Sequence, residues 1–200
     1  MSATVYVHHM FAKVPKGSGI TVVNTTSNAT NRWESGLSPF ILGPCDLWGG
    51  YSSQNMENGH QYSKCYAEHV DKNEDPTEEW WKWAKAGWAN KKAVRYPMGK
   101  GRKPLYAYWE GKKLGYIVAR KTIYGPLYIK AVLDNPAWEK LVCLYETSKE
   151  LYLRDYDAYD HRKRNMNLSE VLNCPDKIMG HAFVLAMLLT KDKALKEFKC

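Results

Sequence analysis

The alternation of apolar and polar positions divides the chain into a β-rich beginning and a mostly helical remainder. Thr4 to His8 and Ile20 to Asn24 are short β-branched runs separated by Pro15, Gly17 and Gly19, a pattern that predicts two strands and a turn. Asn24 to Gly50 is rich in Thr, Ser, Asn, Gly and Pro, and an irregular stretch of that length in a compact domain is more often a binding loop than a spacer. Helical periodicity then takes over, with a first helix predicted over Asn55 to Tyr66. Asp75-Pro-Thr-Glu78 reads as an N-cap, a first-turn proline and a capping-box acid for a helix over Glu78 to Ala89. Trp80, Trp81, Trp83, Ala84 and Trp88 form the apolar side of that helix.

Leu114 to Leu133 is periodic but interrupted at Gly125-Pro126, which predicts a kink or two shorter helices. Asn135-Pro136 opens a helix reaching about Ser148, Glu150 to Arg154 reads as a short strand, and Asp176 to about Thr190 is a final helix with a strong apolar face. Helices around a small β-sheet make an α+β domain. No internal repeat or low-complexity linker divides the 200 residues, so one domain is expected.

Composition narrows the partners. A chain that is 44% hydrophobic and 13% aromatic can fill one core, and extended disorder is not expected. A formal charge of +8 and a pI near 9.1 favour anionic partners: phosphates, nucleotides or nucleic acid. The positive residues concentrate in 91–103, 112–130 and 154–164 rather than in a tail, so the electrostatic footprint belongs to the folded body. Cysteines at 45, 65, 143, 174 and 200 show no paired framework, and no charged segment followed by an apolar one opens the chain, which together point to a reducing cytoplasm. The longest apolar run, Ala182 to Leu189, is too short to cross a bilayer.

Four chemistries can be built from these residues. Cys45, His60, Cys65 and His69 are zinc-ligand types, but their spacing makes no tight CxxC or HxxxH pair, so neither a metal nor a cofactor is expected. Lys100 and Arg102, set among glycines in Tyr96 to Lys103, supply charge and open backbone for a phosphate, although not with P-loop spacing. Glu57, Gln61 and Lys64 place acid, amide and amine at spacings of 0, 4 and 7, one face of a helix. Together with the acids of Asp155 to Arg162, Glu57 fits work at a glycosidic bond, where one carboxylate stabilises an oxocarbenium-like cation and another activates water or assists departure. Finally, the basic and aromatic surface fits non-catalytic binding of nucleotides or nucleic acid, which requires no acid stripe.

In sequence order, Ser38-Pro-Phe40, Glu57, Gln61, Lys64, Asn135-Pro136, Asp155 to Asp160 and Met179-Gly180 resemble the landmarks of the YbiA-like, or NADAR, superfamily of N-glycosidases. The likeness runs from about Ser38 to Leu189, leaving 1–37 as N-terminal strands and loop, 38–190 as the family-like core and 191–200 as a tail. The chain departs from the family pattern at Pro39, where Asn is frequent, at Tyr159-Asp160-His161, where a Trp-Gly is frequent, and near Lys177, where an Asn is frequent.

The resemblance implies hydrolysis of the C–N glycosidic bond in a ribose phosphate or ADP-ribose type compound, including ADP-ribose carried on a base in nucleic acid. Under it, Glu57, Lys64 and Asp157 or Asp160 are the candidate catalytic residues. Glu57 polarises water or holds the ribose hydroxyls; Lys64 sets the charge state of the acid, binds phosphate, or pairs with Glu57 or Glu68. Ser38 and Phe40 are candidate substrate-binding residues, Gln61 orients the sugar or water, Lys100 and Arg102 grip phosphate, and Trp48, Trp81 or Trp88 stacks on the base.

Overall fold

A computed structural model describes residues 2–199. In chain order its elements are strands β1 (Thr4–His9) and β2 (Ile20–Asn24), helix α1 (Arg32–Ser35), strands β3 (Cys45–Asp46) and β4 (Ser52–Ser53), helix α2 (Met56–Gln61) and strand β5 (Lys64–Cys65). Helix α3 (Glu78–Ala89), strands β6 (Tyr106–Trp109) and β7 (Lys112–Leu114), and helices α4 (Tyr116–Ala119), α5 (Gly125–Leu133) and α6 (Pro136–Thr147) follow. Strand β8 (Glu150–Asp155) and helices α7 (Leu168–Asn173) and α8 (His181–Thr190) complete an α+β domain.

The two N-terminal strands do not make a hairpin. Both pair in parallel with β8, which lies between them in the order β1-β8-β2. Val7, Leu153 and Val23 therefore share one row across the sheet. Leu151, Tyr152 and Leu153 are buried in succession, as expected of a central parallel strand covered on both faces. Helix α8 packs on β1, β8 and α5 and buries eight of its ten residues. It is apolar around its whole circumference rather than on one face, which suits the centre of a domain.

Local chemistry explains where the remaining elements begin and end. Helix α2 is shorter than the periodicity of 55–66 predicts: the Asn55 side chain caps it by accepting from the Asn58 N–H, and the Ser63 hydroxyl closes it by donating to the Gly59 carbonyl. The chain then turns into β5, which pairs antiparallel with β6. Helix α3 is capped by Thr77, whose hydroxyl accepts from the Trp80 N–H, and not by Asp75, which reaches Lys113 at 2.8 Å instead. Tyr116 to Leu133 runs without the expected break, because a π-helical turn over Arg120–Tyr124 joins α4 to α5. Such a widened turn accommodates the missing N–H of Pro126.

The β6–β7 hairpin escapes the sequence pattern because its turn is Glu110-Gly111, both at positive φ, rather than the usual Asn-Gly or Asp-Gly pair. Helix α7 also escapes it, although Asn167 and Glu170 form a complete capping box. The final helix starts at His181 and not Asp176, because Gly180 is drawn against the carboxylate of Asp155.

Leu185 is fully buried within α8. Leu185→Ala is expected to lower stability by about 2–5 kcal/mol, read as a lower urea midpoint at unchanged slope.

Candidate active site

Glu57 lies in the first turn of α2, whose start is clamped to the Ser38-Pro-Phe40 segment. The Glu57 N–H donates to the Pro39 carbonyl at 2.9 Å and the Met56 N–H to the Leu42 carbonyl at 2.8 Å. Ser38 is buried, and its hydroxyl accepts from the Phe40 N–H at 3.3 Å. The helix thus presents Glu57 and Gln61 inward, both buried. Lys64 has left the helix for β5, yet its ammonium still donates to Gln61 Oε1 at 2.6 Å while Gln61 Nε2 donates to Glu57 Oε1 at 2.9 Å. Acid and amine are therefore bridged by the amide and do not pair directly.

A second polar element reaches the same place from the 90–95 segment. Asn58 fixes it: its amide donates to the carbonyls of Asn90 and Lys92, each at 2.9 Å, and its oxygen accepts from the Val94 N–H at 2.8 Å. Arg95 follows directly and forms an ion pair with Asp157. Its charge is also felt at Glu57 and Lys64.

The third element is the end of β8. Asp155 accepts from His181 Nδ1 at 3.1 Å, and His181 Nε2 donates to the Thr25 carbonyl at 2.7 Å. A carbonyl only accepts, so Nε2 carries a hydrogen, and with an aspartate on the other nitrogen the ring is an imidazolium. Both side chains are buried. Asp155 also receives the N–H groups of Asp157 and Ala182, the latter at the start of α8. This close approach requires Gly180, where a Cβ would collide with Asp155 Oδ2.

These environments set the charges. Burial pushes the Glu57 carboxyl above the usual range, opposed by Gln61, Lys64, Arg95 and His181. Burial lowers the Lys64 ammonium to about 8, with Glu57 pulling the other way. Burial also raises Asp157 despite Arg95, with the negative charge of Asp155 adding to the rise. At Asp155 burial is the largest influence and would raise the group, but His181 and the two backbone N–H donors together hold it below the usual range. Burial likewise works against the charged His181 ring, and Asp155 with the Thr25 carbonyl outweighs it, so the ring stays raised.

Tyr124 stands among the three acids. Burial and then Asp155 and Glu57 hold its phenol well above its ordinary range. Tyr124, His60 and Lys64 are half-buried around this neighbourhood. The His60 ring meets Tyr124 edge-on at 5.1 Å, its Nδ1 has no hydrogen-bond partner, and burial keeps it neutral.

Glu57, Gln61, Lys64 and Asp157 are thus brought together, whereas other expected residues are not. Asp160 is turned toward β1, 3.5 Å from His8 Nε2 and 3.8 Å from Lys163, because the chain has already passed the site at Asp157. Trp88 is a core residue packed against Trp80 and Tyr51. Trp48 and Trp81 pack against each other and against Tyr51 and Tyr108. Lys100 is exposed in a loop with Gly99 and Gly101 at positive φ, and Arg102 pairs with Glu68, an exposed contact away from the α2 acid. Phe40 is half-buried beside the start of α2.

No group of three metal-ligand side chains occurs among the described residues. Burial pushes the Cys45 thiol to about 11 and the Cys65 thiol to about 12, and Cys200 lies outside the described residues. No helix among the described residues is long and apolar enough to cross a membrane. The chain matches no family model, no curated protein and no solved structure.

Sequence reasoning missed Arg95, Tyr124 and His181. A lone arginine, tyrosine or histidine carries no spacing signal, and only the folded chain shows that all three face carboxylates.

The Asp155–His181 pair makes a pH prediction with a definite sign. Asp155, lowered from 3.8, adds stability that is lost on acidification; His181, raised from 6.5, adds stability that is lost as pH rises through its folded value. The stability difference between wild type and His181→Gln is expected to peak between about 4 and 6.5 and to shrink toward pH 9, as measured by urea midpoints across that range. Breaking the pair removes about 3–5 kcal/mol at the peak.

Proposed function

We propose that this protein hydrolyses the C–N bond between a ribose and its base in a ribose phosphate or ADP-ribose type substrate, free or carried on nucleic acid. The observation that supports this reading best is the buried Glu57–Gln61–Lys64 relay beside the Arg95–Asp157 pair. It puts two carboxylates from distant parts of the chain into one electrostatic neighbourhood. The order of landmarks shared with the YbiA-like N-glycosidases points the same way.

In this reading Glu57 takes a proton from water as the water oxygen bonds to the anomeric carbon. Lys64 acts through the Gln61 amide to favour the ionised acid against the burial that opposes it. Asp157, ionised in its pair with Arg95, faces the anomeric centre from the side of the base; the C–N electron pair leaves on the base nitrogen, which takes a proton from solvent water, to which Glu57 returns its own. Negative charge from Glu57 and Asp155 counters the oxocarbenium character that develops on the sugar. Basic side chains hold the phosphate.

Purified protein is expected to release free base from ADP-ribosylated or phosphoribosylated amines, followed by chromatography. Glu57→Gln is expected to reduce kcat by about 10²–10⁴-fold without lowering the melting temperature, and Asp157→Asn to reduce it comparably. Asp160→Asn should leave it within about twofold, since general acid–base losses arise only at groups that reach the reacting atoms. Because the Lys64 ammonium titrates near 8, kcat/KM should fall as pH rises through that value, and Lys64→Arg should move the fall upward.

Non-catalytic binding of nucleotides or nucleic acid is supported by a different observation, the exposure of Lys91, Lys92, Lys100, Arg102 and Lys103 with Tyr96 among them. It predicts oligonucleotide affinity with a steep salt slope, unchanged by Glu57→Gln, and no turnover.

A further inference from the structure

Helices α1 and α6 pack together, and between them opens a cavity of about 320 Å³ that contains none of the acid-site residues. Its wall carries Arg32 and Trp33 from α1, Asn135 and Pro136 at the start of α6, and Lys140 one turn further on. Gly36 lets the two helices come this close, since a Cβ there would lie 3.2 Å from both the Ala137 Cβ and Asn135 Oδ1. The volume is at the small end of ligand sites.

The lining has two positive charges and no acid. Among the described residues neither Arg32 nor Lys140 forms an ion pair, whereas Lys82, Lys113, Lys121 and Lys130 each reach a carboxylate. The neighbouring acids are engaged or turned elsewhere. Glu34 is buried and accepts from the Asn31 amide, and Glu139 projects from a different side of α6, since adjacent helical residues do not face each other.

The backbone at this helix start is already satisfied. Pro136 has no N–H, the Ala137 N–H donates to Asn135 Oδ1 at 2.9 Å, and the Trp138 N–H donates to the Asn135 carbonyl at 2.9 Å. The cavity's polar offer is therefore made by side chains that donate: a guanidinium, an ammonium and the Asn135 NH2. The Trp33 indole and the Pro136 ring supply the apolar part of the wall. Because the two cations come from different helices, they meet an occupant from two sides.

We propose that this cavity binds a small organic dicarboxylate, independently of the acid site. The Arg32 fork takes one carboxylate through two parallel hydrogen bonds, and the Lys140 ammonium takes the other. The carbon skeleton between them lies against Trp33 and Pro136, where apolar surface is removed from water.

The site is tested on the whole protein by NMR titration at fixed salt with isophthalate, benzoate and phenyl phosphate. Isophthalate has two separated carboxylates, benzoate has one, and phenyl phosphate concentrates its charge on a single group. Isophthalate is expected to bind about tenfold more tightly than benzoate, the worth of one further charge-assisted hydrogen bond, and more tightly than phenyl phosphate. The Gly36 and Ala137 amide signals should move on binding. Lys140→Gln should erase the preference for isophthalate over benzoate, Arg32→Gln should weaken both ligands about tenfold, and Lys100→Gln should change neither. Arg32 and Lys140 are exposed, and melting curves verify that the variants fold.

Equal affinity for isophthalate and benzoate, or a preference that survives Lys140→Gln, overturns the site. So does an equal loss in Lys100→Gln, which would mark general attraction to a basic surface. Tighter binding of phenyl phosphate overturns the dicarboxylate assignment.

Discussion

The buried pair of Asp155 and His181 ties together three parts of the molecule that are remote in sequence. Asp155 ends the central strand β8, His181 begins the central helix α8, and the Thr25 carbonyl at the far side of the imidazolium belongs to the loop after β2. A charge pair taken out of water persists only when its remaining donors and acceptors are also matched. Here they are, through the backbone N–H groups of Asp157 and Ala182. The glycine at 180 follows from the same constraint, since the carboxylate occupies the space a side chain would need.

The position of Asp157 depends on this arrangement. Two residues beyond Asp155, it emerges from the sheet at a fixed point, its N–H held by Asp155 and its carbonyl by the Gly180 N–H. Asn58 supplies the matching constraint on the other side by holding residues 90 to 94 against α2, so that Arg95 meets Asp157. Neither carboxylate is placed by a flexible loop alone. Strand, helix and the Asn58 bracket fix where they lie, and in chemistry that depends on orientation such rigidity matters more than the intrinsic strength of an acid.

The protonation behaviour has the same origin. Glu57, Lys64 and Asp157 all sit where water is scarce, and burial moves each toward its neutral form. Counter-charges oppose this unequally: Asp155 is driven down by an immediate imidazolium, whereas Glu57 has only an amide in contact and its cations one step removed. Asp155 and Glu57, carboxylates of one neighbourhood, therefore hold their protons with different strength.

Much of the architecture could be read in the chain. The limits of α3 and α6, the two N-terminal strands and β8 follow from local patterns: a β-branched run, Asn135-Pro136 at a helix start, a tryptophan-rich periodic face. The candidate acid was legible too, because Glu57, Gln61 and Lys64 carry their spacing with them, although Lys64 reaches Gln61 from a strand and not from the helix the spacing assumed. What needed the fold was everything joined across long sequence separations. Parallel pairing of β1 and β2 around β8 leaves no local signature, Asp157 differs from Asp160 only in which way the chain has turned, and Arg95, Tyr124 and His181 acquire meaning from charges brought beside them. Periodicity and capping are properties of neighbouring residues and survive in sequence; electrostatic fields and steric collisions depend on distance in space, which only the folded chain decides.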